Sequence, residues 1–319
     1  MSEPPAPSPP TLRDRLEAAY LAFLARPTDG SAASLFRLTF GALAVWQAVG
    51  VLINLRRFWG RDALIPFEVV SHDPFIWLSP FAWAPNSAVV LYGHAAAVAI
   101  SAVAFFVGFR PRPFALLLAA AIASLQFRNP FILNSGDRLF MIVAALSAAA
   151  PLSRRFSVDA WLALRAPETK PAPIATVWGQ RLVGMQVAYV YLSSAVAKLG
   201  NPRWQQGRAL RDVLASPVYA EWPRYVDSRV LIAVMTYGTL VFELLFPGLV
   251  WFKRFRPYLI AAGVVFHLGI DVTMIIPIFS WIMIASYPIY LGDDEVAWLL
   301  GRLPFVRGRS ARRDPDPGS

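Results

Sequence analysis

The sequence contains no cysteine. That excludes disulfides, thiolate nucleophiles and cysteine-ligated metals. Histidine is scarce, with three in 319 residues, and they are too scattered for ordinary metal-ligand spacing. Charge is scarce too: 16% of residues are charged and 56% hydrophobic, far from the balance of soluble proteins. No Walker loop, HExxH, GxSxG or GxGxxG occurs, so the familiar soluble-enzyme sites are missing. Basic residues exceed acidic ones, 30 to 20. They are spread through short loops with no basic, aromatic-interleaved patch, which argues against a nucleic-acid partner. The opening MSEPPAPSPP is proline-rich and has no basic segment leading into an apolar core, so no cleavable signal peptide is expected.

What the sequence does have is long apolar blocks. They predict lipid-facing helices rather than the weak alternation of a membrane barrel. Eight candidate spans lie near 34–54, 87–109, 114–133, 138–152, 176–199, 229–252, 257–276 and 278–298. The third is interrupted by Arg128 and Pro130 and the fourth is short. Those two read either as spans or as a re-entrant hairpin around Asn134–Asp137. The expected fold is therefore all-α, a polytopic integral membrane helix bundle of about eight transmembrane helices, with a range of six to eight. Residues 1–33 are expected to hold a disordered start and a helix over 11–25. Leu12, Leu16, Tyr20 and Phe23 share one face of that helix, which suits either an interfacial helix or a solvated lead-in. Residues 34–298 form the membrane domain and 299–319 a basic, disordered tail.

Arg13, Arg15, Arg26 and Arg37, then Arg110 and Arg112, then Arg154, Arg155, Arg165 and Lys170, then Lys253, Arg254 and Arg256, and the tail after Arg302 fall on one side of this topology. A smaller set, including Arg56, Arg57, Arg61, Arg128 and Arg138, falls on the other. The bias puts both termini in the cytoplasm and the protein in the cytoplasmic membrane. Membrane lipids are then obligatory partners. Trp59, Trp77, Trp83, Trp204 and Trp222 suit the headgroup level on the outer side.

Few ionisable groups fall inside the spans, and such groups suggest function by default. Lys198 ends the fifth span and is followed at once by a Trp-x-x-Gly element, Trp204 and Gly207. It either snorkels to the interface or acts chemically. His94 lies in the outer part of the second span and reads as a packing histidine or a site residue. His267 and Asp271 share a face at i,i+4 spacing, where the carboxylate would orient the imidazole or the pair would join two helices. Asp137, in Asn-Ser-Gly-Asp, is a site residue, turn chemistry or a helix cap. All five could line one outward cavity. On the inner side Arg181 and Glu243 are expected to form a structural ion pair between the fifth and sixth spans. Arg37 is expected to snorkel inward.

Three stretches carry a resemblance. YVYLSSAVAKLGNPRWQQGRAL (189–210), FILNSGDRLFMIVAALSAAAPL (131–152) and FHLGIDVTMIIPIFSWIMIASYPIYL (266–291) are similar to the signature elements of the HTTM (horizontally transferred transmembrane) family, which includes vitamin K-dependent gamma-carboxylase. The resemblance covers about residues 34–295. It implies that Lys198 is a base acting on a quinol, with a reduced quinone as the redox partner, and that His267 matches the histidine of the family's late helix. Two departures limit what it implies. The carboxylase histidine ahead of the fourth helix aligns with Gly136 here. The carboxylase also carries a large lumenal domain, for which 319 residues leave no room, so glutamate carboxylation is not expected. Two functions follow from different classes. One is a membrane enzyme using a lysine base on a quinol or another lipid-soluble substrate. The other is a non-catalytic scaffold, or an immunity or export component, that binds a peptide, a protein or a lipid.

Overall fold

The computed structural model describes residues 11–165, 174–218, 228–276 and 278–302. The expected disorder of 1–10, the basic tail from 303 onward, Lys170 and Trp222 lie outside the described residues. In chain order the elements are α1 (Leu12–Leu24), β1 (Pro27–Thr28), α2 (Ser31–Trp59), α3 (Phe67–Val70), α4 (Ala88–Val107), α5 (Pro111–Arg128), α6 (Ser135–Ser147), α7 (Val158–Ala163), β2 (Ala175–Thr176), α8 (Trp178–Leu199), α9 (Pro202–Gln205), α10 (Ala209–Ala215), α11 (Arg229–Leu249), α12 (Arg256–Thr273), α13 (Phe279–Ser286) and α14 (Asp293–Gly301). Among the described residues the regular structure is helical but for β1 and β2, which pair antiparallel through Pro27–Thr176 and Thr28–Ala175.

Among the described residues, four helices are long and apolar enough to cross a membrane: α2, α4, α8 and α11. Their ends follow local chemistry. The Ser87 side chain caps α4 by accepting the Val90 amide, and Gly108 ends it in the left-handed region at φ 75°. The Ser228 side chain caps α11 in the same way. The remaining segments are shorter. The helix expected over 278–298 is in fact two pieces, α13 and α14, separated by a 3₁₀ turn at Tyr287–Tyr290 and by Gly292. Pro288 has no amide to continue the ladder. Asp293, Asp294 and Glu295 then favour a fresh helix start, where negative charge meets the positive helix end.

The core is built on α2, fourteen of whose 29 residues are buried. Phe40 packs on Phe36, Phe105 and Phe140 at centroid distances of 5.4, 6.1 and 5.0 Å. Between helices in lipid the gain comes from close packing and dispersion rather than from leaving water. Arg37 does not snorkel. It is fully buried. Its Nε donates to the Leu152 carbonyl at 2.9 Å and Nη1 to that of Phe105 at 3.3 Å, with further bonds to the Phe106 and Phe156 carbonyls. The Phe105 and Phe106 carbonyls belong to the last turn of α4, where backbone donors run short, although the Gly108 amide also reaches Phe105. A cation there also meets the negative end of the helix dipole.

In α1 the apolar row is exposed: Leu12, Leu16, Tyr20 and Leu21 are all more than half accessible. Only its far end is pinned, where Phe23 meets Trp251 edge-on at 5.2 Å.

Candidate functional site

A cavity of about 850 Å³ lies between α8, α10, α11 and α12, with Met274, Ile276 and Phe279 completing its wall. Its lining is mostly apolar, and its ionisable side chains fall in two clusters. The first is on α8 and α11. Lys198 Nζ lies 2.5 Å from Glu243 Oε1 and 2.6 Å from Ser194 Oγ, and Ser194 Oγ also donates to Glu243 Oε1 at 3.2 Å. The side chains are 21% and 5% exposed for Lys198 and Glu243, so the pair is largely withdrawn from solvent. The Trp204 ring faces the ammonium at 5.0 Å, within cation–π range.

The second cluster is Tyr191 and His267 on the cavity wall, joined by Tyr287, which does not line the cavity. Tyr191 Oη bonds His267 Nε2 at 2.7 Å and Tyr287 Oη at 2.5 Å. Tyr191, Ser194 and Lys198 sit at i, i+3 and i+7 on α8, so one helical stripe supplies a member to each cluster. Gly263 makes the second cluster reachable, because a Cβ there would collide with the Tyr287 ring and hydroxyl. Glu243 Oε2 and His267 Nδ1 are buried without a hydrogen-bond partner.

The Trp-x-x-Gly element is held in place by its own turn chemistry. The Asn201 side chain caps α9 by accepting the Arg203 amide at 3.0 Å. Gly207 adopts φ 67°, a region costly for residues with a Cβ, and any Cβ there would meet the Tyr237 ring. Tyr237 Oη donates to the Gln205 carbonyl at 2.9 Å. These contacts seat Trp204 over Lys198.

Lys198, Trp204 and His267 therefore share one cavity, but His94, Asp137 and Asp271 do not line it. His94 belongs to a separate buried junction. Its Nδ1 meets the Val90 carbonyl at 2.8 Å, and its Nε2 meets Ser124 Oγ at 2.8 Å. Ser124 Oγ in turn meets Ser79 Oγ at 2.8 Å. A carbonyl only accepts, so Nδ1 donates to Val90. Asp271 is exposed and does not orient His267; that place is taken by the Tyr191 hydroxyl. The i,i+4 spacing leaves a 40° offset between the two side chains.

Asp137 forms a capping box with Asn134 at the start of α6 and accepts from Gln47 Nε2 at 3.3 Å. Its neighbour Ser135 reaches the cavity. Gly136 donates its amide to the Asn134 side chain at 2.7 Å.

The expected Arg181–Glu243 pair does not form. Arg181 lies between the Phe23 and Trp251 rings at 4.7 and 5.1 Å, and Glu243 pairs with Lys198. The reason is helix stagger. The first turns of α11 pack on α9 and α10, with Thr236 against the Leu210 amide and Tyr237 against Gln205. That brings Glu243 level with Lys198. Sequence reasoning missed Tyr191, Ser194 and Tyr287. The signal for the first two was the polar stripe on α8.

No curated protein and no solved structure matches the chain. The HTTM domain family model matches residues 25–295, most of the chain and all of both polar clusters. This membrane protein belongs to the HTTM domain family.

Proposed function

We propose that the protein is a membrane enzyme that binds a lipid-soluble, hydroxyl-bearing substrate such as a reduced quinone and removes its hydroxyl proton. The observation that carries this reading is the Lys198–Glu243 pair at 2.5 Å on the wall of a mostly apolar cavity. A volume of about 850 Å³ accommodates a substituted ring, and a mostly apolar lining with a few fixed polar groups is the usual form of a small-molecule site.

The pair refines the expected lysine base. Ammonium–carboxylate and amine–carboxylic acid are two tautomers of one net-neutral unit. Either tautomer accepts one proton from the substrate hydroxyl and ends as an ammonium, a carboxylic acid and a substrate oxyanion. The O–H bond breaks, its electron pair stays on oxygen, and the Lys198 ammonium faces the new negative charge. In a low-dielectric cavity that attraction is much stronger than in water. A reduced quinone, when bound, supplies the acidic hydroxyl and the electrons for any later oxidation. Ser194 fixes the pair, and Tyr191 with His267 forms a polar boundary beside it.

The test is turnover of a reduced naphthoquinone by the chain in lipid nanodiscs under oxygen, read by chromatography of the oxidised products. Lys198→Ala and Glu243→Gln should each lower turnover by about two orders of magnitude or more, the usual worth of positioned acid–base groups. Wild-type turnover in either folded variant would sink the reading. A second reading is a non-catalytic membrane component whose cavity binds a peptide or a lipid. The full pairing of Lys198 with Glu243 and Ser194 favours it. It predicts that Lys198→Arg, which keeps the charge and cannot be deprotonated, preserves the cellular phenotype.

A further inference from the structure

A second cavity, of about 550 Å³, lies at the end of α2 opposite Arg37, where the last turn of α2 meets the start of α4. It shares no lining residue with the first. Arg56, Arg57 and Arg61 line it together with Asp62; three guanidiniums less one carboxylate leave a formal +2. None of the three arginines is in an ion pair, and the ion pairs among the described residues use other cations. Arg56 Nε donates to Tyr92 Oη at 3.0 Å, and Arg57 lies 5.6 Å from the Phe58 ring centre. Ala88 also lines the cavity, which brings the positive end of the α4 dipole to its wall.

The surroundings point to what this charge meets. On the same two helices Ile53 and Val89 are 77% and 82% exposed, as befits lipid-facing positions. Trp77 and Trp83, in the connection between the helices, are exposed as well, and tryptophan favours the headgroup level. The cavity therefore sits where an apolar band gives way to polar surface. The three arginines also lie on the side that the basic-residue bias disfavours. Arginine forks suit phosphate oxygens bidentately, and the volume is larger than a free phosphate ion needs.

We propose that this cavity binds an anionic phospholipid. Arg56, Arg57 and Arg61 hold the phosphate, and the acyl chains lie along the Ile53 and Val89 surface. The experiment uses the full chain in nanodiscs of mixed phosphatidylglycerol and phosphatidylcholine, released into native mass spectrometry. The wild type should retain phosphatidylglycerol in preference to phosphatidylcholine. The R56Q/R57Q/R61Q variant should lose that preference by about tenfold or more, as expected for removing several cations near a lipid surface. Its melting temperature should not change, because the substituted side chains are exposed. Equal retention of the two lipids by the wild type overturns the proposal, as does an unchanged preference in a folded variant. A parallel titration with sn-glycerol 3-phosphate in detergent distinguishes the source of the phosphate. Weak binding supports the lipid, and binding as tight as the lipid's overturns it in favour of a soluble phosphate ester.

Discussion

The two halves of the bundle satisfy their buried polar groups in different ways. In the half built on α2, α4, α5 and α6, the His94, Ser124 and Ser79 side chains join one another, but the buried Arg37 and Trp59 donors of α2 go to backbone carbonyls. Arg37 bonds four of them, and Trp59 Nε1 bonds Leu125 at 2.8 Å. In the half built on α8, α11 and α12, the groups beside the cavity bond side chain to side chain, and Glu243 Oε2 and His267 Nδ1 on its wall have no partner. Packing differs in step. Fourteen residues of α2 are buried but only three of α12, namely Arg256, Gly263 and His267. A donor tied to the main chain can serve only the fold. A side-chain network beside a cavity keeps bonding capacity that a ligand can take up.

The comparison breaks most readily at Arg37. Arg37→Ala should destabilise the protein by about 3–5 kcal/mol, because it strands buried carbonyls and opens a void. Thermal unfolding in detergent, or loss of accumulation in the membrane, measures this. Next comes the Lys198–Glu243 pair, where either single truncation leaves a buried charge while removing both does not. A double-mutant cycle with Lys198→Met and Glu243→Leu should give a coupling of about 1–3 kcal/mol. The double variant should fold nearly as well as the wild type and be inactive. If it unfolds as badly as Arg37→Ala, the two halves do not differ in kind.

Tyr287→Phe sharpens the contrast at smaller scale. It removes one hydroxyl from the Tyr191–His267 network, for about 1 kcal/mol in unfolding experiments. Smallest of all is the exposed pair of Lys253 with Asp294 at the Arg37 end. Asp294→Asn should leave the melting temperature unchanged within error at neutral pH. The Lys253 hydrogen bond holds the Asp294 carboxyl below its ordinary value. Whatever the pair contributes is thus present above the ordinary aspartate pKa and fades as the pH falls through the lowered one.

Much of this fold was legible in the sequence. The spans expected at 34–54, 87–109, 176–199 and 229–252 fall on α2, α4, α8 and α11, the four helices long and apolar enough to cross a membrane among the described residues, and the segment at 257–276 falls on the shorter helix α12. Apolar runs fix helix existence, and caps such as Ser87 and Ser228 fix their starts. The break at Gly292 was hidden because hydropathy stays high through Pro288 while the helix does not. Lys198 stood out as a charge ending an apolar run. Its partner did not, because composition reports depth and not the stagger between helices. That stagger comes from the short α9 and α10, whose contacts with Thr236 and Tyr237 lift α11. His94 was placed by depth and Asp271 by its i,i+4 spacing from His267, and neither says which way a side chain turns.

The small β1–β2 pairing has a mechanical consequence. It joins the residue pairs directly ahead of α2 and α8, so the lead helices of the two halves start from one pivot. The 22 residues of α8 form a lever of about 33 Å at 1.5 Å per residue. A tilt of about 5° at the pivot moves its far tip by about 3 Å, using that same rise. Lys198 rides at that tip, next to the last residue of α8. Small rotations at the strand pair are therefore amplified where the cavity meets the membrane.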